Sequence, residues 1–174
     1  MRTLRDALGR ELVWKSRSLL SHEHDLVDAE PADGEPYATL VMRRALFVPH
    51  AVAESADGRW TFRHVGFLRE RVVVREDGAG APGAVYRRHW LRGVLRFEDG
   101  REFVWRRESF WSTTWTFQDP GGMILLRFRR RFSFPRISAR VEFDPSSGRG
   151  SEAALLACLG WYLLLIARRR SAAT

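Results

Sequence analysis

The feature that most constrains this chain lies near its C-terminus. Residues 153–167 read Ala-Ala-Leu-Leu-Ala-Cys-Leu-Gly-Trp-Tyr-Leu-Leu-Leu-Ile-Ala, fifteen residues without a charge. Alanine and leucine favour helix, and Gly160 weakens it by about 1 kcal/mol relative to alanine. Ser151 is placed to cap the helix, and Arg168, Arg169 and Arg170 complement its C-terminal dipole. A helix apolar all round belongs inside a protein or inside a membrane. Fifteen residues at about 1.5 Å each span roughly 22 Å, short of the ~30 Å hydrocarbon core. Trp161 and Tyr162 sit in the middle of the run, whereas membrane-interface aromatics sit at the ends. The expectation is therefore a helix buried in protein. A C-terminal tail anchor is the alternative, with the arginines snorkelling at a membrane face.

Most of the sequence before this helix reads as short strands. Turn signals recur at Asp33-Gly34, Asp57-Gly58, Asp77-Gly78, Asp99-Gly100 and Asp119-Pro120-Gly121-Gly122. Between them the chain is rich in aromatic and β-branched residues with period-two alternation. Trp60, Phe62 and His64 share one face; Phe103 and Trp105 share another. Trp111, Thr113, Trp115 and Phe117 form a third, and Ile124, Leu126 and Phe128 oppose Arg127, Arg129 and Arg131. Strands are expected near 12–16, 23–29, 37–43, 45–54, 59–65, 68–76, 84–90, 93–98, 101–107, 111–118, 122–131 and 137–143. Tyr37 to Glu54 reads as one long bent strand or two. No repeat or linker divides the chain, so residues 1–174 make one domain, with strands over about 12–143 and the helix over about 151–170.

The chain carries 29 basic and 21 acidic residues, a net charge of +8, and its sole lysine is Lys15. Such a balance favours anionic partners: nucleic acid, anionic lipid or acidic protein. A coding bias toward arginine is one reading of the missing lysines, and it leaves the net charge unexplained. The single Cys158 excludes an internal disulfide and a multi-cysteine zinc site. Charges interrupt residues 1–20, so no secretory signal is read there and a cytoplasmic location is expected.

About a dozen strands followed by one wholly apolar helix is a distinctive order. A barrel of that size has a lumen to fill, and this chain carries its own plug. The carriers are the hairpin segments 59–64, 93–105 and 115–128 and the helix Ala153 to Ala167. Over roughly residues 12–170 the chain resembles the tubby C-terminal-like superfamily: tubby-like proteins, phospholipid scramblases and LURP-one-related proteins. The resemblance implies a closed antiparallel β-barrel of about twelve strands around a hydrophobic C-terminal helix. It also implies docking on phosphoinositide-bearing membranes through a basic surface, as tubby-like members do. Calcium activation is not carried over. The corresponding stretch, residues 143–152, holds only Asp144 and Glu152 and lacks EF-hand spacing. No individual lipid-binding residue is carried over either.

The remaining motifs argue against chemistry. Gly78-Ala-Gly-Ala-Pro-Gly83 matches a dinucleotide fingerprint in letters, but a strand-like segment follows where a helix is needed. His22 and His24 are weak metal candidates on one strand face; His50, His64 and His89 offer no telling spacing for a third ligand. Cys158 lies in the apolar helix, where a thiol is inert. No enzyme activity and no cofactor are expected. The strongest functional segment is 123–140, basic and free of acids. Its Arg127, Arg129 and Arg131 would project from one strand face about 6.8 Å apart, with Arg130 beside them. Arg87 and Arg88, with Arg92, form a second group around His89 and Trp90. The alternative is a solvated exterior whose arginines pair with Glu102, Glu108 or Glu142 across strands. The sequence is read as a non-enzymatic adaptor that docks on anionic phospholipid. Nucleic-acid binding on the same surface stands second and a tail-anchored membrane protein third.

Overall fold

A computed structural model describes the chain except residues 8, 19–20, 31–33, 46–47, 67–70, 79, 81–82, 90–91, 134–135, 145–149 and 172–174. The side chains of residues 5, 44, 45, 48, 49, 132, 133, 136, 150 and 170 are also outside the description. Trp90, residues 79, 81 and 82 of the Gly78–Gly83 loop, the Asp33 turn position, the 145–149 part of the calcium comparison and the Arg170 side chain thus lie outside the described residues.

Twelve strands form a closed antiparallel barrel. They are β1 (Leu12–Ser16), β2 (Glu23–Asp28), β3 (Ala38–Ala45), β4 (Val48–Ser55), β5 (Gly58–Val65), β6 (Arg71–Glu76), β7 (Ala84–His89), β8 (Arg92–Phe97), β9 (Glu102–Arg107), β10 (Thr114–Gln118), β11 (Ile124–Ser133) and β12 (Arg136–Phe143). Each strand pairs with its sequence neighbours, and β1 closes the ring against β12 through Leu12↔Val141 to Lys15↔Ser138. Closure leaves no edge strand to template aggregation. The segment Tyr37 to Glu54 resolves into two strands, β3 and β4, in register from Ala38↔Ser55 to Ala45↔Val48. Strand β10 begins at Thr114, three residues later than the alternation suggests, because Ser112 N–H donates to Ser109 C=O at 3.1 Å and closes a turn there.

The apolar run becomes α1 (Gly150–Ser171), which starts one residue before the expected Ser151 cap, so Ser151 sits in the first turn beside Glu152. At about 1.5 Å per residue this helix is ~33 Å long, so length alone does not exclude a membrane span. Its window Ser151–Arg169 has a mean hydropathy of 1.4, and 78% of it is buried inside the barrel. Residues 153–166 are all buried, with Ala154, Ala157, Cys158, Leu159, Trp161 and Tyr162 wholly so. The helix is the plug of the lumen.

Side-chain size sets where the plug sits. It lies close to β3, β4, β5, β11 and β12. Part of that wall is small: Ala38, Ala51 and Ala53 are wholly buried. On β11 the helix meets Phe128, and Gly160 makes the approach possible: a Cβ there would fall 2.4 Å from Phe128 Cζ. Larger inward residues, among them Tyr86, Leu95, Phe103, Trp105 and Phe117, line β7 to β10. Trp161 stacks on Trp14 at 5.8 Å, and Tyr162 packs on Phe62 at 5.5 Å. Each such side chain contributes roughly 1.5–3 kcal/mol by burial.

The two barrel ends differ. Chain direction puts the 29–37, 56–57, 77–83, 98–101, 119–123 and 144–149 connections at the end where α1 enters. The other connections gather where α1 leaves. The N-terminal segment folds across the entry end. A short 3-10 helix, Leu4–Ala7, buries Leu4 and Ala7, and Leu4 N–H donates to Asp57 Oδ2 at 3.0 Å. Arg2 donates to Asp28 at 2.7 Å and lies over the Tyr37 ring at 4.0 Å. Burial pulls the Asp28 carboxyl upward, but hydrogen bonds from Arg2 and Tyr37 and the charges of Arg2 and Arg10 outweigh it. Asp28 is held below the ordinary carboxylate range.

Candidate anion-binding surface

Alternation in β11 is the starting point. Leu126 and Phe128 are buried, while Arg129 and Arg131 are exposed and Arg127 is half-buried. Arg127, Arg129 and Arg131 therefore do share the outer face. Arg130 does not join them: it has the inward parity of Phe128 and is half-buried near the exit end. Burial, with the like charges of Arg107 and Arg168, holds its guanidinium below the ordinary arginine value. It remains charged at any physiological pH.

Acids temper part of the ladder. Arg127 Nε donates to Glu108 Oε1 at 2.8 Å and lies 3.8 Å from Glu142, and Arg129 lies 3.5 Å from Glu142. Arg96 likewise pairs with Glu102. The cross-strand pairing considered for the exterior is thus real at these positions. Among the described residues Arg131, Arg87, Arg92 and Arg106 make no ion pair, and all four are exposed.

Strand register joins what the sequence presents as two groups. Arg92 of β8 pairs with Arg106 of β9, Arg106 with Thr116 of β10, and Thr116 with Arg127 of β11. One row therefore crosses four neighbouring strands about 4.8 Å apart, with arginine on β8, β9 and β11 and Thr116 between them on β10. Thr116 points outward yet is fully buried, so its neighbours' side chains cover it. Arg106 is the bridging residue that sequence reasoning missed. It sits in the aromatic hairpin 93–105 and its continuation, where attention falls on the inward residues.

Several arginines are direct register partners across neighbouring strands. Arg71 opposes Arg87, Arg92 opposes Arg106, and Arg129 opposes Arg140. Of these, Arg140 is relieved by Glu11, to which it donates at 2.6 Å. Like charges placed directly across a strand pair are destabilising. The Arg71–Arg87 and Arg92–Arg106 pairs keep that repulsion on an exposed face, with no ion pair to an acid among the described residues.

The weaker candidates come apart. His22 is exposed and precedes β2, whereas His24 is buried against the edge of Trp161 at 5.4 Å. No group of three metal-ligating side chains occurs among the described residues. The residue after Gly83 opens strand β7, so no helix N-terminus follows the glycine loop. Cys158 is wholly buried, which pushes its thiol up. A cleft of ≈ 290 Å³ at the entry end is lined by Glu76, Glu98, Asp99 and Glu152 with Arg101, and this acidic lining disfavours an anion.

No family model, no curated protein and no solved structure matches this chain.

Proposed function

We propose that this protein is a non-enzymatic adaptor that docks on the surface of anionic phospholipid membranes, phosphoinositide-like headgroups included. One observation carries the reading: exposed arginines are register partners across β6–β7 and β8–β9, and among the described residues none of the four makes an ion pair with an acid. A surface of phosphate groups relieves that repulsion, and each guanidinium offers the fork geometry that phosphate accepts. The resemblance to tubby-like barrels supports the same ligand class. A tail anchor is disfavoured because the apolar helix that would form it is packed in the lumen. The docking is electrostatic, so salt weakens it.

The test is flotation of detergent-free protein with neutral and with anionic vesicles, at low and at high salt. Binding to anionic vesicles only, reversed by salt, supports the reading. Absence of flotation overturns it and leaves nucleic acid as the next anionic partner to assay.

A further inference from the structure

The β9–β10 connection breaks the rule that the Asp-Gly turns of this chain follow. The residues at the centre of tight turns are usually Gly, Pro, Asn, Asp or Ser. Here Ser109 C=O accepts from Ser112 N–H at 3.1 Å, and the two residues between them are Phe110 and Trp111. Phe110 is 68% exposed and Trp111 is 87% exposed. Trp111 is thus not part of the inward aromatic face that the sequence alternation suggests.

The turn is held firmly. Glu108 N–H donates to Thr114 C=O at 3.1 Å and Thr114 N–H to Ser112 Oγ at 2.9 Å. Arg107 Nε donates to Ser112 C=O, and Arg130 N–H to Thr113 C=O at 3.2 Å. The two rings pack edge to face at 4.9 Å. Two large aromatic side chains are therefore presented to solvent on a pre-formed support.

Their surroundings are basic. Arg107 and Arg130 frame the turn, and α1 leaves the barrel at this end with Arg168 and Arg169. Glu108 is the acid within the turn, and Arg127 neutralises it. An aromatic tip ringed by arginine suits the interface of an anionic bilayer. Trp favours the headgroup level, and each nearby Arg adds attraction. A nucleic acid would use the aromatic faces for stacking, but these two rings are turned edge to face against each other.

The geometry points to end-on docking: the Phe110–Trp111 turn inserts into the interface of an anionic phospholipid bilayer while the arginines at the exit end contact its headgroups. This rests on the lipid reading above and adds orientation and anchor.

The test uses the full chain with phosphatidylcholine vesicles, with and without phosphatidylserine, carrying brominated acyl chains as a tryptophan quencher. The unaltered protein is expected to bind the serine-containing vesicles and lose fluorescence. Trp111→Phe is expected to bind with most of that quenching gone. Phe110→Ser with Trp111→Ser is expected to bind about tenfold more weakly, with an unchanged melting curve because both side chains are exposed. Equal quenching in Trp111→Phe, or affinity within about twofold in the double variant, overturns end-on docking while leaving the lipid function in place. Failure of the unaltered protein to bind any vesicle overturns both. So does binding to an oligonucleotide in place of vesicles, which transfers the aromatic turn to nucleic acid.

Discussion

The two ends of this barrel are built from the same hairpins but follow opposite rules. At the end where α1 enters, the connections carry Asp57, Asp77, Asp99, Asp119 and Asp144, and glycine supplies the positive φ at Gly100 and Gly122, both 87°. The N-terminal segment folds over that end, and its charges are paired: Arg2 with Asp28, Arg101 with Asp99 and Glu152. At the end where α1 leaves, Phe110 and Trp111 occupy a turn centre, Arg92, Arg107 and Arg131 lie toward the strand ends on that side, and Arg168 and Arg169 lie at the end of α1. Ion pairs hold several charges of the first end. The second leaves apolar surface and positive charge exposed together, which folding alone does not call for. The difference teaches that, among the described residues, most of the exposed arginines without an ion pair lie toward one end of the molecule.

The largest predicted effect removes the frame on which both ends depend. Gly160→Arg puts a charge in the lumen against Phe128 and should abolish cooperative unfolding, read by circular dichroism during heating. A soluble, cooperatively melting Gly160→Arg protein would refute burial of the helix.

Acid should separate the ends. Burial pushes His24 down to about 4, with Arg169 and His22 adding to the shift and Asp25 opposing it. A buried neutral histidine binds a proton more readily once unfolded. Its stabilisation is therefore complete above the ordinary value of 6.5 and is lost as pH falls from 6.5 toward 4. The loss reaches about 3 kcal/mol, measured by urea unfolding, and should vanish in His24→Leu. Asp28, at the other end, is depressed below 3.8, so its contribution is present above 3.8 and goes only at lower pH. A slope between pH 6.5 and 4 that survives in His24→Leu would contradict this assignment.

A smaller change probes the packing. Gly160→Ala forces a methyl to 2.4 Å from the Phe128 ring and should cost about 1–3 kcal/mol in urea unfolding. Phe128→Leu in the same chain should recover part of that loss. An unchanged midpoint for Gly160→Ala would mean the helix has room that the packing denies it.

The smallest expected effects compare the ends directly. Reversing Arg92 and Arg106 to glutamate should weaken binding to anionic vesicles by at least about tenfold, at about 1 kcal/mol per arginine. Reversing Arg59 and Arg96, near the entry end, should change it by less than about twofold. Equal losses from the two pairs would mean that charge acts without regard to orientation.

The barrel was legible because its physics is local. Alternation marks inward residues such as Phe62, Trp105 and Phe128, Asp-Gly turns mark the hairpins, and an uncharged helix can only be a plug or a span. The arginine surface was legible only in part. Arg127, Arg129 and Arg131 share a face by period two, but the link from Arg92 through Arg106 to Arg127 depends on strand register, which no local pattern states. Arg130 fell on the wrong side because a run of consecutive arginines conceals which of them points inward. Trp111 was misread for a related reason. Alternation continues through Trp111 and Thr113 in letters, while the chain has already turned. The signal that would have found the aromatic turn is the alternation of the ends themselves. Every second connection carries large apolar residues and the others carry acids, a pattern that appears once an up-and-down topology is imposed.

The most direct measurement places an environment-sensitive fluorophore at one end at a time. Ser109→Cys marks the exit end and Met123→Cys, where the native side chain is 48% exposed, marks the entry end. The buried Cys158 stays unlabelled. With anionic vesicles the label at position 109 should shift to the blue and the label at position 123 should not. A shift at position 123 alone, or equal shifts at both, would contradict docking by the exit end.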